Sequence, residues 1–88
     1  MMKILVVCGN GLGSSFMMQL NVKKALTELG KTAEVTHSDL TSANGQKADI
    51  FIGAGDIVER LDESKGKIVS IINMMNISEI KLRLEPLL

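Results

Sequence analysis

The sequence predicts an α/β fold: one four-stranded parallel sheet in the order 2-1-3-4, helices on both faces, and a phosphate loop after the first strand. Three observations lead there. Two short runs, Ile4–Val7 and Ile50–Ile52, are wholly apolar and lead to glycines, as strands buried on both faces of a parallel sheet do. Between them the apolar spacing switches to a helical period. Strands and helices then alternate with short connections, which implies parallel pairing through right-handed crossovers.

Taken in order, Lys3–Cys8 is the first strand, and three glycines follow it at Gly9, Gly11 and Gly13. From Ser14 to Leu29 a helix places Met18, Val22, Ala25, Leu26 and Leu29 on one stripe, and Gly30 closes it as a C′ residue. Phe16 and Leu20 fall on the opposite side of the wheel, with Met17 between the two faces. Lys31–His37 is a weaker, half-polar strand at or near a sheet edge. Ser38–Lys47 is polar, with Asn44-Gly45, and has room for one short helical turn.

Asp49–Gly53 is the third strand, and Asp56 is placed to cap a short helix whose Ile57, Val58 and Leu61 face inward. A turn over Glu63–Gly66 leads to the fourth strand, Lys67–Ile72. After Asn73-Met74-Met75, Asn76 and Glu79 have the N-cap and N3 spacing of a capping box. Ile77, Ile80, Leu84 and Leu87 form the stripe of this last helix, and Pro86 is expected to fray its end. No repeat or linker divides the chain, so residues 1–88 are expected to form a single domain.

Composition narrows the function. The chain has one cysteine and one histidine, too few for a Cys/His metal site, and its ten acidic residues show no liganding spacing. No metal and no cofactor is expected. Ten basic residues balance the ten acidic ones, and Phe16 and Phe51 are the only aromatics, which argues against nucleic acid as a partner. No apolar run approaches the roughly 18 residues of a membrane span, and Ile4–Val7 is too short for a signal-peptide core. A cytoplasmic protein without direct membrane insertion is the expectation, and a lone cysteine fits a reducing compartment.

The chemistry concentrates in Cys8-Gly9-Asn10-Gly11-Leu12-Gly13-Ser14-Ser15. A buried cysteine is usually a small hydrophobe. Packing alone does not call for three alternating glycines and two serines at a helix start. In such a loop the backbone N–H groups can turn inward around an anion, and the helix dipole adds positive potential. The same position favours the thiolate form of a cysteine, so Cys8 reads as a nucleophile inside a phosphate cradle.

Three familiar phosphate loops fit poorly. No lysine lies between Cys8 and Ser15, against a nucleotide P-loop. In the dinucleotide fingerprint Gly9 and Gly11 align with Ser14, and Gly13 falls out of step; Asp39 could imitate the ribose-binding acid, but four strands cannot form both halves of that fold. The Cys-x₅-Arg phosphatase loop requires arginine where Ser14 stands. No Asp-Pro pair suggests a general acid either. A loop able to hold a phosphoryl group on sulfur, without equipment for hydrolysing esters, suits a carrier.

These residues, with Met17-Met18 just after them, resemble the IIB component of the bacterial sugar phosphotransferase system, and most closely its ascorbate-type branch. The likeness extends to Ala48-Asp49-Ile50 opening a strand and to Asn73-Met74 following the last one. Galactitol-type relatives, with a less glycine-rich loop, stand second. The resemblance implies that Cys8 accepts a phosphoryl group from a phosphohistidine on the IIA protein. Cys8 then passes it to a sugar, ascorbate by this likeness, bound by the IIC membrane permease. The amides of Gly9, Asn10, Gly11, Leu12, Gly13, Ser14 and Ser15, and the two serine hydroxyls, are expected to hold the phosphoryl oxygens.

Two partners must reach one sulfur in turn, so an open entrance and a docking rim are expected, with Phe16, Met17 and Leu20 as the rim. A neighbouring loop covering these three side chains is the plainer account. His37 reads as a solvated strand-end residue, with a second phosphoryl site or a base as the sharper alternative. Asp56 could line the rim, although capping explains it. A redox or regulatory thiol module and a small cysteine phosphatase remain as rival classes.

Overall fold

The computed structural model describes residues 2–8, 14–43, 45–61, 66–73 and 75–88, with the side chains at 14, 15, 40 and 41 outside the description. Four strands, β1 (Lys3–Cys8), β2 (Glu34–Asp39), β3 (Ile50–Ala54) and β4 (Lys67–Ile71), form one all-parallel sheet in the order β2-β1-β3-β4. That is the predicted order. The helices are α1 (Ser14–Leu29), α2 (Leu40–Ala43), α3 (Gly55–Val58) and α4 (Ile77–Leu84).

Alternation along the strands assigns the two faces. Ile4 and Val6 of β1, Ile50 and Ile52 of β3, and Val69 and Ile71 of β4 share one buried cluster with Val22, Ala25 and Leu26 of α1 and with Ile80 and Leu84 of α4. The alternate residues Leu5, Val7 and Phe51 face the other way, against Ala43 of α2, Val58 of α3 and Leu61. One face thus carries two long helices and the other two single-turn helices. β1 is central and covered on both sides, which is why Ile4–Val7 can be uniformly apolar.

The predicted α1 boundaries hold because its stop is fully specified. Gly30 adopts φ +72°, its N–H bonds the Thr27 carbonyl, and the Lys31 N–H bonds the Leu26 carbonyl at 3.0 Å. Those are the two hydrogen bonds of a Schellman motif. The motif consumes Lys31, so β2 starts later than expected, and its pairing with β1 as far as Cys8 carries it to Asp39, not His37.

Three other expectations change. Asp56 does not cap α3: Ala54 occupies the N-cap, Gly55 opens the helix, and Asp56 lies exposed in its first turn. The capping box of α4 is half formed. Asn76 Oδ1 accepts the Glu79 N–H at 3.2 Å, but the Asn76 N–H already bonds the Asn73 carbonyl, so the Glu79 carboxylate reaches further back. It accepts the N–H groups of Ile72 at 2.7 Å and Asn73 at 3.0 Å. Finally, Pro86 does not fray the terminus. Glu85–Leu87 continues as a 3-10 turn, where proline's missing N–H costs nothing, and Leu87 and Leu88 pack on the core.

Candidate functional site

In an open parallel sheet, ligands bind off the C-terminal strand ends, where the chain switches direction. Here β1 is followed outward by β2 on one side and by β3 on the other, so that point lies between β1 and β3. Cys8 is the last residue of β1 and stands one position beyond the Val7–Gly53 pair. On its other side it is in register with Asp39.

The close approach of β3 to β1 depends on Gly53. A Cβ there would run into the Val7 carbonyl oxygen and meet Val58 Cγ1 at 3.1 Å. Cys8 itself is 4 % exposed. That departs from the open entrance expected of a sulfur reached by two partners. Strand alternation puts Cys8 on the side of Ile4 and Val6, the α1 side, so the helix that starts six residues later shares its face.

The expected cradle Gly9, Asn10, Gly11, Leu12 and Gly13 lies outside the described residues. Ser14 and Ser15 open α1, and their hydroxyls also lie outside the description. The expected docking residues are described. Phe16, Met17 and Leu20 are 52 %, 47 % and 43 % exposed, so among the described residues no neighbouring loop buries them. The Phe16 ring meets the His37 imidazole edge-on, with centroids 6.4 Å apart at 84°. His37 is level with Val6, two residues short of Cys8, and partners the helix face rather than the strand tip.

Two residues of this end escape a reading by sequence pattern. Ile72 and Met75 are exposed beyond the end of β4, and Asn21 Nδ2 donates to Met75 Sδ at 3.3 Å. That contact sets Met75 of the β4–α4 turn against Asn21 in the first half of α1, the residue after Leu20. The signal was available in the paired methionines after Asn73, but nothing in the spacing assigns them to α1.

Asp39 is the charged neighbour of Cys8 along the sheet. Its Oδ1 accepts the Ser42 N–H at 2.7 Å, the N-cap bond of α2. That backbone bond, with a second from the Ser42 side chain, holds its carboxyl below the usual value of 3.8. Glu79, bonded by the Ile72 and Asn73 amides and near Arg83, is likewise held below 4.5. Asp49, by contrast, belongs to the far end. Its carboxylate accepts the Lys3 N–H at 2.7 Å, and its own backbone bonds Lys3 and Lys67. Among the described residues no group of three or more His, Cys, Asp or Glu could hold a metal ion, and no described helix is long and apolar enough to cross a membrane.

A small parallel α/β sheet with the chain's one cysteine at the switch-point end of the first strand, just ahead of a long helix, defines a class of open α/β domain whose ligand crevice lies at that strand tip. Sequence comparison gives the family. Residues 3–84 match the family model described as the PTS system, lactose/cellobiose specific IIB subunit. The chain is also 35 % identical over 88 residues, 97 % of its own length and 93 % of the relative's, to the ascorbate-specific PTS system EIIB component of Mycoplasma pneumoniae (strain ATCC 29342 / M129 / Subtype 1). The chain belongs to the IIB family of the sugar phosphotransferase system.

Proposed function

We propose that the whole chain, residues 1–88, acts as one IIB domain whose Cys8 carries a phosphoryl group between a IIA protein and a sugar bound by a IIC permease, on the cytoplasmic side of the membrane. The observation that carries this is the position of Cys8: the chain's single sulfur nucleophile ends the central strand, at the switch point of the sheet. Family membership supplies the class of reaction.

In the first step the Cys8 thiolate attacks phosphorus on the IIA phosphohistidine. A P–S bond forms, the P–N bond breaks, and its electron pair returns to the imidazole, which takes up a proton. In the second step a sugar hydroxyl attacks the same phosphorus. A P–O bond forms, the P–S bond breaks with its electrons left on sulfur, and the hydroxyl proton passes to solvent or a base. The overall driving force is small in the first step, so the barrier falls through positioning and charge stabilisation. The amides of residues 9–15 and the hydroxyls of Ser14 and Ser15 are assigned to the phosphoryl oxygens.

The low exposure of Cys8 bears on this chemistry. A phosphoryl group held away from water is protected from hydrolysis between partners. Phe16, Met17 and Leu20 are assigned as the docking surface, and contacts burying less than about 1,200 Å² in total suit two short-lived encounters. The sugar assigned is ascorbate, on the glycine-rich loop after Cys8 in this chain and on the name of the M. pneumoniae relative; a galactitol-type system is second.

Incubation with phosphorylated IIA, read by intact mass, tests the reading. One phosphoryl group gained by the wild type and none by Cys8→Ser supports the carrier. Oxidation by peroxide with no phosphorylation supports a redox thiol instead, and turnover of an aryl phosphate supports a phosphatase. Charged substitutions at Phe16 and Leu20 that leave both transfer rates unchanged in folded protein would remove the docking assignment.

A further inference from the structure

Asp39 has a structural task, capping α2, that does not require a charge. Asparagine caps a helix as well as aspartate does. Yet the residue at this position is ionised. It is held so by the Ser42 amide, and its Cα is the register partner of the cysteine assigned to carry phosphate. Adjacent strands lie about 4.8 Å apart, which keeps carboxylate and sulfur within roughly 10 Å, about one Debye length.

Few other side-chain charges stand at this strand tip among the described residues. The first turn of α1 has no acidic residue, Asp56 stands beyond β3, and His37, two residues back on the same face of β2, meets the Phe16 ring edge-on. Lys3 and Lys67 open their strands at the opposite end of the sheet, and Lys81 pairs with Glu28 there.

We propose that Asp39 is a positioning residue that tunes phosphoryl release: its fixed negative charge beside Cys8 disfavours the phosphorylated form and keeps the group easy to pass on. The proposal rests on the carrier reading. Acceptance converts a thiolate into a thiophosphate dianion, adding one negative charge beside Asp39 as the P–S bond forms. Release breaks that bond and removes the charge. A neighbouring carboxylate therefore opposes the first step and assists the second.

The test measures the equilibrium fraction of phosphorylated Cys8 against limiting phosphorylated IIA, by intact mass, in three proteins. Asp39→Asn keeps the cap and drops the charge; Asp39→Glu keeps the charge. We expect Asp39→Asn to raise the equilibrium constant for phosphorylation about three- to tenfold at low salt, with Asp39→Glu at the wild-type value. In 1 M salt, where screening is nearly complete, the gap should close. If Asp39→Asn matches wild type, or Asp39→Glu shifts as much as Asp39→Asn, the role of this charge is overturned while the carrier stands. If wild-type Cys8 takes no phosphoryl group, both are overturned.

Discussion

Gly53→Ala is the sharpest test of how the sheet presents Cys8. The new methyl would meet the Val7 carbonyl oxygen, which belongs to the main chain of a strand that is 0 % exposed at that residue. A side chain could rotate away; this obstacle cannot, so β1 and β3 must separate. Overpacking of this kind costs about 1–3 kcal/mol, and a main-chain obstacle belongs in the upper part of that range. Loss of glycine's freedom in the unfolded chain returns about 0.4–1 kcal/mol. The net loss is then about 2 kcal/mol, or a melting temperature lower by roughly 8–16 °C for a domain of this size.

Urea titration followed by circular dichroism measures it, with two other glycines as controls. Gly30→Ala has open space but a φ of +72°, so it should lose about 1 kcal/mol. Gly45→Ala meets only the Ser42 carbonyl at 3.7 Å, an ordinary contact, and should stay within about 0.5 kcal/mol of wild type. The ranking 53, 30, 45 follows from geometry alone. A Gly53→Ala protein as stable as Gly45→Ala would refute the close approach of β3 to β1 beneath the cysteine.

Three further outcomes are expected. Asn76→Ala should cost about 1 kcal/mol by freeing the Glu79 N–H, while Asn76→Asp should be near neutral in thermal melts. Thr36 Oγ1 is buried with no hydrogen-bond partner among the described residues, so Thr36→Val should be neutral or stabilising by up to about 1 kcal/mol; a clear loss would show that the hydroxyl is in use. Glu79 is held below its ordinary 4.5, so its contribution is complete above that value and is lost as pH falls through the lower folded one. Glu79→Gln should accordingly flatten the acid limb of a stability–pH profile below about pH 4.5, and an unchanged limb would remove the carboxylate from the β4–α4 turn.

Much of the fold was legible because local and global signals agree. Ile4–Val7 reads as a doubly covered strand, and the Leu29-Gly30 stop reads as a helix end, since one residue type satisfies each demand. What was not legible depends on hydrogen bonds between segments distant in sequence. Nothing in Asn76-x-x-Glu79 says that the Asn76 amide is already taken by Asn73, which is what sends the Glu79 carboxylate to β4. The shift of β2 has the same origin, since only the completed Schellman motif shows that Lys31 is spent on α1. At the site, the strand tip and helix start were readable from Cys8 and Ser14. The 4 % exposure of Cys8 and the neighbour it finds in Asp39 needed the register of β1 against β2.

That register also separates two sets of polar residues that look alike in sequence. Asp49 precedes a strand, Asp39 ends one and Glu79 lies in the helix after one, and each carboxylate accepts a main-chain N–H. Asp49 does so at the N-terminal end, where with its own backbone it joins β1, β3 and β4 and leaves the strands little freedom. Asp39 and Glu79 do so at the other end, but their bonds run to turns and helix starts rather than between strands. Of these three carboxylates, the one that ties strand to strand is therefore at the end away from Cys8. At the end that bears Cys8, the bonds of Asp39 and Glu79 stay within the turns that follow β2 and β4. On the carrier reading proposed above, that division suits a sulfur met by two partners in turn: the cysteine's backbone is set by a buried strand, while Asp39 and Glu79 tie down the turns beside it.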